Sequence, residues 1–154
     1  MNQIVSIFLR RRIIKGLAVV LVVLALFLII FPQFFDCESQ GRSIELPDGR
    51  LIPMKCHWSA IAEIAVGIPL LASGVMLLVT KQKSVKLSMG VMGIVLGAMA
   101  ALIPAYLIGV CGMATMICRM VMLPAILLAS GLVVLAGVTV VILAASRNDV
   151  VNIA

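Results

Sequence analysis

The sequence predicts an all-α integral membrane protein, a bundle of four transmembrane helices with a small cap at one end. Hydrophobic residues make up 64% of the 154-residue chain and charged residues 12%, and a soluble domain of this length could not bury so much apolar surface. Four apolar segments each reach the roughly 20 residues that a membrane-spanning helix needs. The apolar–polar alternation that is typical of membrane β-barrel strands is not present in the sequence.

The four predicted spans form a single domain and occupy about residues 13–35, 58–79, 87–110 and 120–145. Each is expected to be helical because lipid offers no water to backbone polar groups. A basic stretch at 10–15 followed by an apolar run is also the pattern of a secretory signal peptide. The apolar segment is longer than that of a signal peptide, and the bulky residues at its end offer no cleavage site. Both observations favour a retained helix.

The basic residues predict the orientation of the bundle. Eight of the twelve Lys and Arg residues lie before or in the first turn of the first span, between the second and third, or after the fourth, and the other four lie on the opposite side. Because basic residues favour the cytoplasmic side, both termini are predicted to be cytoplasmic and the loop 36–57 to be on the outer face. The net charge of +6 is then attributed to topology and to contact with anionic lipid head groups, and not to a nucleic-acid partner.

The outer loop 36–57 is the one sizeable segment outside the predicted spans. It contains SIELPDGRLIPM, in which two short strands flank a Pro-Asp-Gly turn, and this pattern predicts a β-hairpin. A lone hairpin is marginal in water. We therefore expect the membrane surface, a disulfide or a partner to brace it.

Small residues recur along the second and third spans and predict close helix packing. The glycines concerned are Gly67, Gly74, Gly90, Gly93 and Gly97. Packing within the bundle is the favoured interpretation, and a docking face for another membrane protein is the alternative.

Each of the four cysteines borders a predicted span on the outer face, which is the oxidising side, where disulfides persist. They are Cys37, Cys56, Cys111 and Cys118. Two disulfides are predicted, and three pairings are possible. The favoured pairing lies within each loop. It requires a break in the helix, for which Gly109 and Gly112 are the candidates, because continuous helix would separate Cys111 and Cys118 by roughly 10 Å and a disulfide needs Cα atoms within about 7 Å.

Two alternative functions use the same cysteines. Four helices with two outer cysteine pairs resemble the bacterial disulfide-generating quinone reductases, which suggests a membrane thiol-disulfide oxidoreductase, but the chain has no CxxC motif. The other alternative is a copper-binding membrane protein, whose candidate ligands are Met54, Cys56, His57 and Cys118. No metal site, cofactor or catalytic residue is predicted. The sequence has no GxSxG, HExxH or phosphate-loop motif, which favours a non-enzymatic protein and leaves an enzymatic one open.

Glu63 is the only carboxylate inside a predicted span. A carboxylate there is costly unless it is neutral, paired or hydrated. The sequence predicts a polar cluster of Glu63 with His57, Thr115 and Arg119 beneath the disulfides. A shallow glutamate that reaches interfacial water is the alternative.

Two motifs, MKCHWSA at the second span and GVCGMATMIC before a Pro-bearing fourth span, resemble the bacterial domain-of-unknown-function family 4418. The resemblance covers nearly the whole chain, and its motif positions are Cys37, Cys56, His57, Glu63, Cys111, Thr115 and Cys118. It implies a short four-helix protein of the bacterial inner membrane without an established activity, often encoded beside ABC transporters of the macrolide-exporter type. It therefore implies a non-enzymatic accessory or regulatory subunit of a transport complex. The expected partners are membrane lipid and either an ABC-type transporter or a second copy of the chain.

Overall fold

A computed structural model of the chain describes residues 2–39, 41–113 and 115–146. The elements follow one another as α1 (Asn2–Phe34), β1 (Ile44–Glu45), β2 (Leu51–Ile52), α2 (Lys55–Val79), α3 (Lys83–Leu102) and α4 (Leu123–Ala145). Two π-helical turns stand at the cysteine-bearing end of the molecule. One, Ile103–Leu107, extends α3, and the other, Cys118–Met122, leads into α4.

All four helices are long and apolar enough to cross a membrane. The candidate spans are Leu9–Phe34, Lys55–Val79, Lys83–Leu107 and Cys118–Ala145. The predicted fold class, an all-helical protein with four membrane-spanning helices, is confirmed. Many large apolar side chains are exposed on the outward faces of the helices, as expected where lipid rather than water surrounds them.

Glycines set the closest helix contacts inside the bundle. A Cβ at Gly74 would lie 2.9 Å from the side chain of Val22 on α1, and a Cβ at Gly97 would lie 2.9 Å from Val133 on α4. The glycines of α2 therefore pack against α1, and the glycines of α3 pack against α4. Gly137 on α4 was not predicted, and its Cβ would lie 2.9 Å from the carbonyl oxygen of Gly90.

The predicted hairpin is present. β1 and β2 pair antiparallel, with Ile44 opposite Ile52, and Gly49 adopts a positive φ of 78° in the turn. At the other end of the molecule, the guanidinium of Arg10 on α1 lies 3.5 Å from the carbonyl oxygen of Leu143 on α4. The N-terminal part of α1 and the C-terminal part of α4 therefore lie side by side, at the end of the bundle opposite the hairpin.

Candidate metal centre

The four cysteines meet at the hairpin end of the bundle. Cys37 follows α1, Cys56 lies in the first turn of α2, Cys111 lies in the loop after α3, and Cys118 opens the π turn before α4. All four Sγ atoms lie within 4.8 Å of one another. Four separate segments of the chain thus bring one soft ligand atom each to a single point.

No disulfide joins these cysteines, and the predicted pair of disulfides is absent from the structure. The Sγ of Cys37 lies 3.4 Å from that of Cys111 and 3.6 Å from that of Cys118, while Cys111 lies 3.5 Å from Cys56. A disulfide bond is about 2.05 Å long. The prediction treated each loop as holding its own pair, whereas the fold directs all four thiols to a common centre.

The expected helix break occurs at Gly109, which has a positive φ of 81°. The backbone N–H groups of Ile108 and Gly109, which follow the π turn, both donate to the carbonyl of Ile103, the first residue of that turn. The hydroxyl of Ser59 on α2 then donates to the carbonyl of Gly109 at 2.8 Å. These contacts fold the loop back across the end of the bundle and carry Cys111 to the other thiols.

Three of the four thiols are almost fully buried, and Cys111 is partly exposed. The backbone N–H of Cys37 donates to the Sγ of Cys56 at 3.3 Å. Burial, reinforced by hydrogen bonds with the neighbouring thiols, raises the pKa of Cys37 above its usual range. Burial opposes ionisation of Cys111 too, but hydrogen bonds from Cys37, Cys56 and Cys118 outweigh it and lower the pKa of that thiol. Of these two thiols, Cys111 therefore forms a thiolate more readily than Cys37.

The spacing of the thiols fits one tetrahedral metal ion. Zn–S bonds of about 2.3 Å place the sulfur atoms of a tetrahedral site about 3.8 Å apart. The three Sγ–Sγ contacts of 3.4 to 3.6 Å need to widen by only a few tenths of an ångström. Iron–sulfur clusters place their cysteines on several iron atoms, which requires a wider arrangement than these mutually close thiols.

A second group of ligand atoms lies beside the thiols. His57 Nδ1 is 2.9 Å from Oδ2 of Asp36 and 2.7 Å from Oε2 of Glu38. The other carboxylate oxygen of Asp36 accepts a hydrogen bond from the backbone N–H of Ser39 at 2.7 Å. Burial would raise the pKa of Asp36, but the hydrogen bonds from His57 and Ser39 outweigh it and hold this pKa below its usual value. The group is thus a partly buried, anionic site with one imidazole.

The predicted polar cluster is not brought together. His57 turns to the two carboxylates, and the guanidinium of Arg119 donates to the carbonyl of Gly112 at 3.0 Å. Glu63 is fully buried, and neither of its carboxylate oxygens has a hydrogen-bond partner among the described residues. Because Glu63 is fully buried, the alternative of a shallow glutamate that reaches interfacial water is wrong.

A cavity of about 210 Å³ opens beside the thiol cluster. Its lining residues are Cys37, Arg42, Thr115, Met116 and Ile117. Thr115 therefore lies near Cys37 rather than beside Glu63. The cavity gives solvent an approach to an otherwise buried thiol and places one cationic side chain near it.

The comparisons with known proteins give one match. Residues 21–143 match the family described as Domain of unknown function (DUF4418). The chain belongs to this family. The match includes all four cysteines and both resemblance motifs, so the predicted family is confirmed. No curated protein and no solved structure matches the chain.

Two features of the site were not predicted from the sequence. One is the single centre made by all four cysteines, because only the folded chain shows that Cys111 crosses the bundle end. The other is the presence of Asp36 and Glu38 as candidate ligands. The sequence signal for these ligands is that Asp36 and Glu38 directly flank Cys37 and that His57 directly follows Cys56.

Proposed function

We propose that this DUF4418 member is a multi-pass membrane protein that binds one thiophilic metal ion, Zn²⁺, at the four-thiol cluster. The observation that carries the proposal is the approach of four Sγ atoms from four segments to within 4.8 Å of one another. A closed site with four cysteine ligands is typical of structural zinc. The ion would hold the hairpin-bearing loop and the loop after α3 against the ends of the helices. The sequence predicted disulfides in this role.

The charge around the cluster is consistent with this proposal. Four thiolates around Zn²⁺ leave two net negative charges, which the surroundings must stabilise. Arg42 lines the cavity beside Cys37, and the backbone N–H of Cys37 already donates to the sulfur of Cys56. A cation and an oriented N–H group thus lie where a metal–thiolate centre would need them.

Copper in its reduced form is the second candidate ion. The thioether Sδ of Met54 lies 3.9 Å from the Sγ of Cys111, which adds a soft ligand at the edge of the cluster. Thiolates and thioethers together select Cu(I). Copper binding would use Cys56 and Cys118, as predicted, but would not use His57, whose Nδ1 contacts carboxylates.

A thiol-disulfide oxidoreductase receives less support from the geometry. An attacking cysteine needs a lowered pKa and access to its partner. Cys37, which contacts every other cysteine, is buried and has a raised pKa. Only Cys111 combines partial exposure with a lowered pKa, so a reaction would have to start there.

We further propose that the cysteine end faces the outer side of the bacterial inner membrane and that both termini are cytoplasmic. The support is the excess of basic residues on the side away from the cysteines. Bound metal would then protect the thiols from oxidation in an oxidising compartment. Reporter fusions at both termini and in the hairpin turn test this orientation, and a hairpin reporter active in the cytoplasm would reverse it.

The accessory role in an ABC-type transport complex is a separate proposal, supported by the family resemblance. The glycine stripes pack within the bundle, so a partner would have to use the apolar outer faces of the helices. Purification from native membranes in mild detergent tests it. A chain that brings down no transporter under several mild conditions would contradict the role without affecting the metal site.

The metal proposal is tested by elemental analysis of the full chain, purified with reductant and without added metal. One equivalent of zinc per chain is expected, and Cys37→Ser and Cys111→Ser should each lose it. Met113→Leu is the matched control, because Met113 is an exposed sulfur-bearing residue of the same loop. Wild-type protein that carries no metal ion would contradict the proposal.

A further inference from the structure

We propose that Asp36, Glu38 and His57 form a second, open site for a divalent cation of the Zn²⁺ class, which captures the ion and passes it to the four thiols. The capture of an ion is argued from the geometry of these three side chains alone, and the transfer step rests on the proposed function, a metal ion at the four thiols. The three residues offer one imidazole nitrogen and two carboxylate oxygens, all within 4.8 Å of one another.

The charge at this site favours a divalent cation. Two carboxylate oxygens converge on the single Nδ1 of His57, at 2.9 Å for Asp36 and 2.7 Å for Glu38. One N–H can serve only one of them well. A divalent cation in place of that proton would bind the neutral imidazole and neutralise both carboxylates.

The inner part of the site is fixed by contacts outside the triad. The Asp36 side chain is only 5% exposed, and its Oδ1 accepts the N–H of Ser39, which directs Oδ2 to His57. The hydroxyl of Ser39 also donates to the backbone carbonyl of Asp36 at 2.8 Å. Two ligands are therefore held in place before an ion arrives.

The outer part of the site is open. The Glu38 side chain is 54% exposed and can move to admit an ion. Zn–N and Zn–O bonds of about 2.0–2.1 Å require ligand atoms about 3.3 Å apart in a tetrahedron, so the present contacts need to open by about half an ångström. Three protein ligands with a free fourth position are typical of exchangeable rather than closed zinc sites.

The chain links this site directly to the thiols. Asp36 and Glu38 flank Cys37, and His57 follows Cys56. In the transfer step, the ion exchanges its carboxylate and imidazole ligands for four thiolates. The thiol protons leave to the vacated carboxylates and imidazole and from there to water, so that charge and protons balance. Thiolates are the softer ligands and hold the ion more tightly, which makes the inward transfer favourable.

The test is metal loading of the reduced, metal-stripped full chain in detergent, with Zn²⁺ titrated against a competing chelator. Wild type should bind two ions, and the Glu38→Gln and His57→Lys variants one. Loading of the thiols, followed as loss of reactivity to an alkylating reagent, should slow at least about tenfold in both variants. Lysine can keep an ion pair with the carboxylates but ligates zinc poorly, so His57→Lys separates coordination from structural pairing.

Glu45→Gln is the matched control, because Glu45 is an exposed carboxylate of the same loop; it should load like wild type. One ion per wild-type chain, with unchanged loading in Glu38→Gln and His57→Lys, would overturn the second site and leave the thiol site standing. A single ion per wild-type chain that survives Cys37→Ser but is lost in His57→Lys would support the second site and count against the thiol site. A wild-type chain that binds no ion would overturn both.

Discussion

At the scale of single residues, Cys37 has a contact with each other cysteine of the cluster. Its Sγ lies 3.4 Å from Cys111 and 3.6 Å from Cys118, and its backbone N–H donates to Cys56. It is also flanked by both carboxylates of the second site. Any account of the cluster as a metal centre therefore depends on this residue.

Replacing Cys37 by serine should remove most of the stabilisation that zinc gives to the metal-stripped protein and leave only what the open site of Asp36, Glu38 and His57 contributes. A ligand present at about a thousand times its Kd stabilises the folded state by about 4 kcal/mol, and a site that has lost one of its four thiolates should show little of this. Thermal unfolding in detergent with and without Zn²⁺ measures the effect. Met113→Leu should keep the full shift, and a full shift in Cys37→Ser would count against four-sulfur coordination.

Replacing Glu63 by leucine should raise the stability of the protein or leave it unchanged. Both carboxylate oxygens are buried without a partner among the described residues, and an unsatisfied buried polar group costs about 1–3 kcal/mol. Glu63→Gln keeps the polar atoms and should resemble wild type. Thermal unfolding compares the three proteins. Loss of stability in Glu63→Leu would show that Glu63 has a partner, such as an ion or another chain, that stabilises it in the membrane.

At the scale of elements, the packing of α3 on α4 depends on backbone contact at glycine. A Cβ at Gly137 would lie 2.9 Å from the carbonyl oxygen of Gly90 and 3.1 Å from the backbone nitrogen of Ile94. These are backbone atoms that cannot rotate away. Gly131 on the same helix has nothing within 4 Å of its Cβ position, so the two glycines form a matched pair.

Gly137→Ala should destabilise the bundle, by about 1–3 kcal/mol if the helices move apart to make room. Gly131→Ala should be neutral or stabilising by up to about 1 kcal/mol, because alanine favours a helix interior over glycine. Unfolding in a denaturing detergent measures both variants. Equal stability of the two would contradict the close contact between α3 and α4.

The elements themselves could be predicted from the sequence, because the length and hydropathy of the four spans indicate helices and the Pro-Asp-Gly turn indicates a hairpin. Each of these signals is local. The contacts between elements were not. Gly137 stands outside the GxxxG pattern at Gly93 and Gly97, and its importance appears only when Gly90 is placed opposite. The thiol centre needs the break at Gly109 and the π turn at Cys118, and neither geometry is fixed by hydropathy.

At the scale of the whole molecule, each of the four helices has one end at or next to the thiol cluster. The loop 36–57 contacts α2 through Asp36 and His57, and the loop after α3 contacts α2 through Gly109 and Ser59. Each helix contributes to the cluster or adjoins a residue that does. Metal binding would therefore act on the stability of the entire bundle and not on the cap alone.

The most direct test of this account is X-ray absorption at the zinc edge on the full chain, isolated under reducing conditions and washed free of loosely held metal. We expect tightly held zinc with four sulfur neighbours at about 2.3 Å. Zinc surrounded only by nitrogen and oxygen, or a chain that carries no metal, would contradict the four-thiol metal centre.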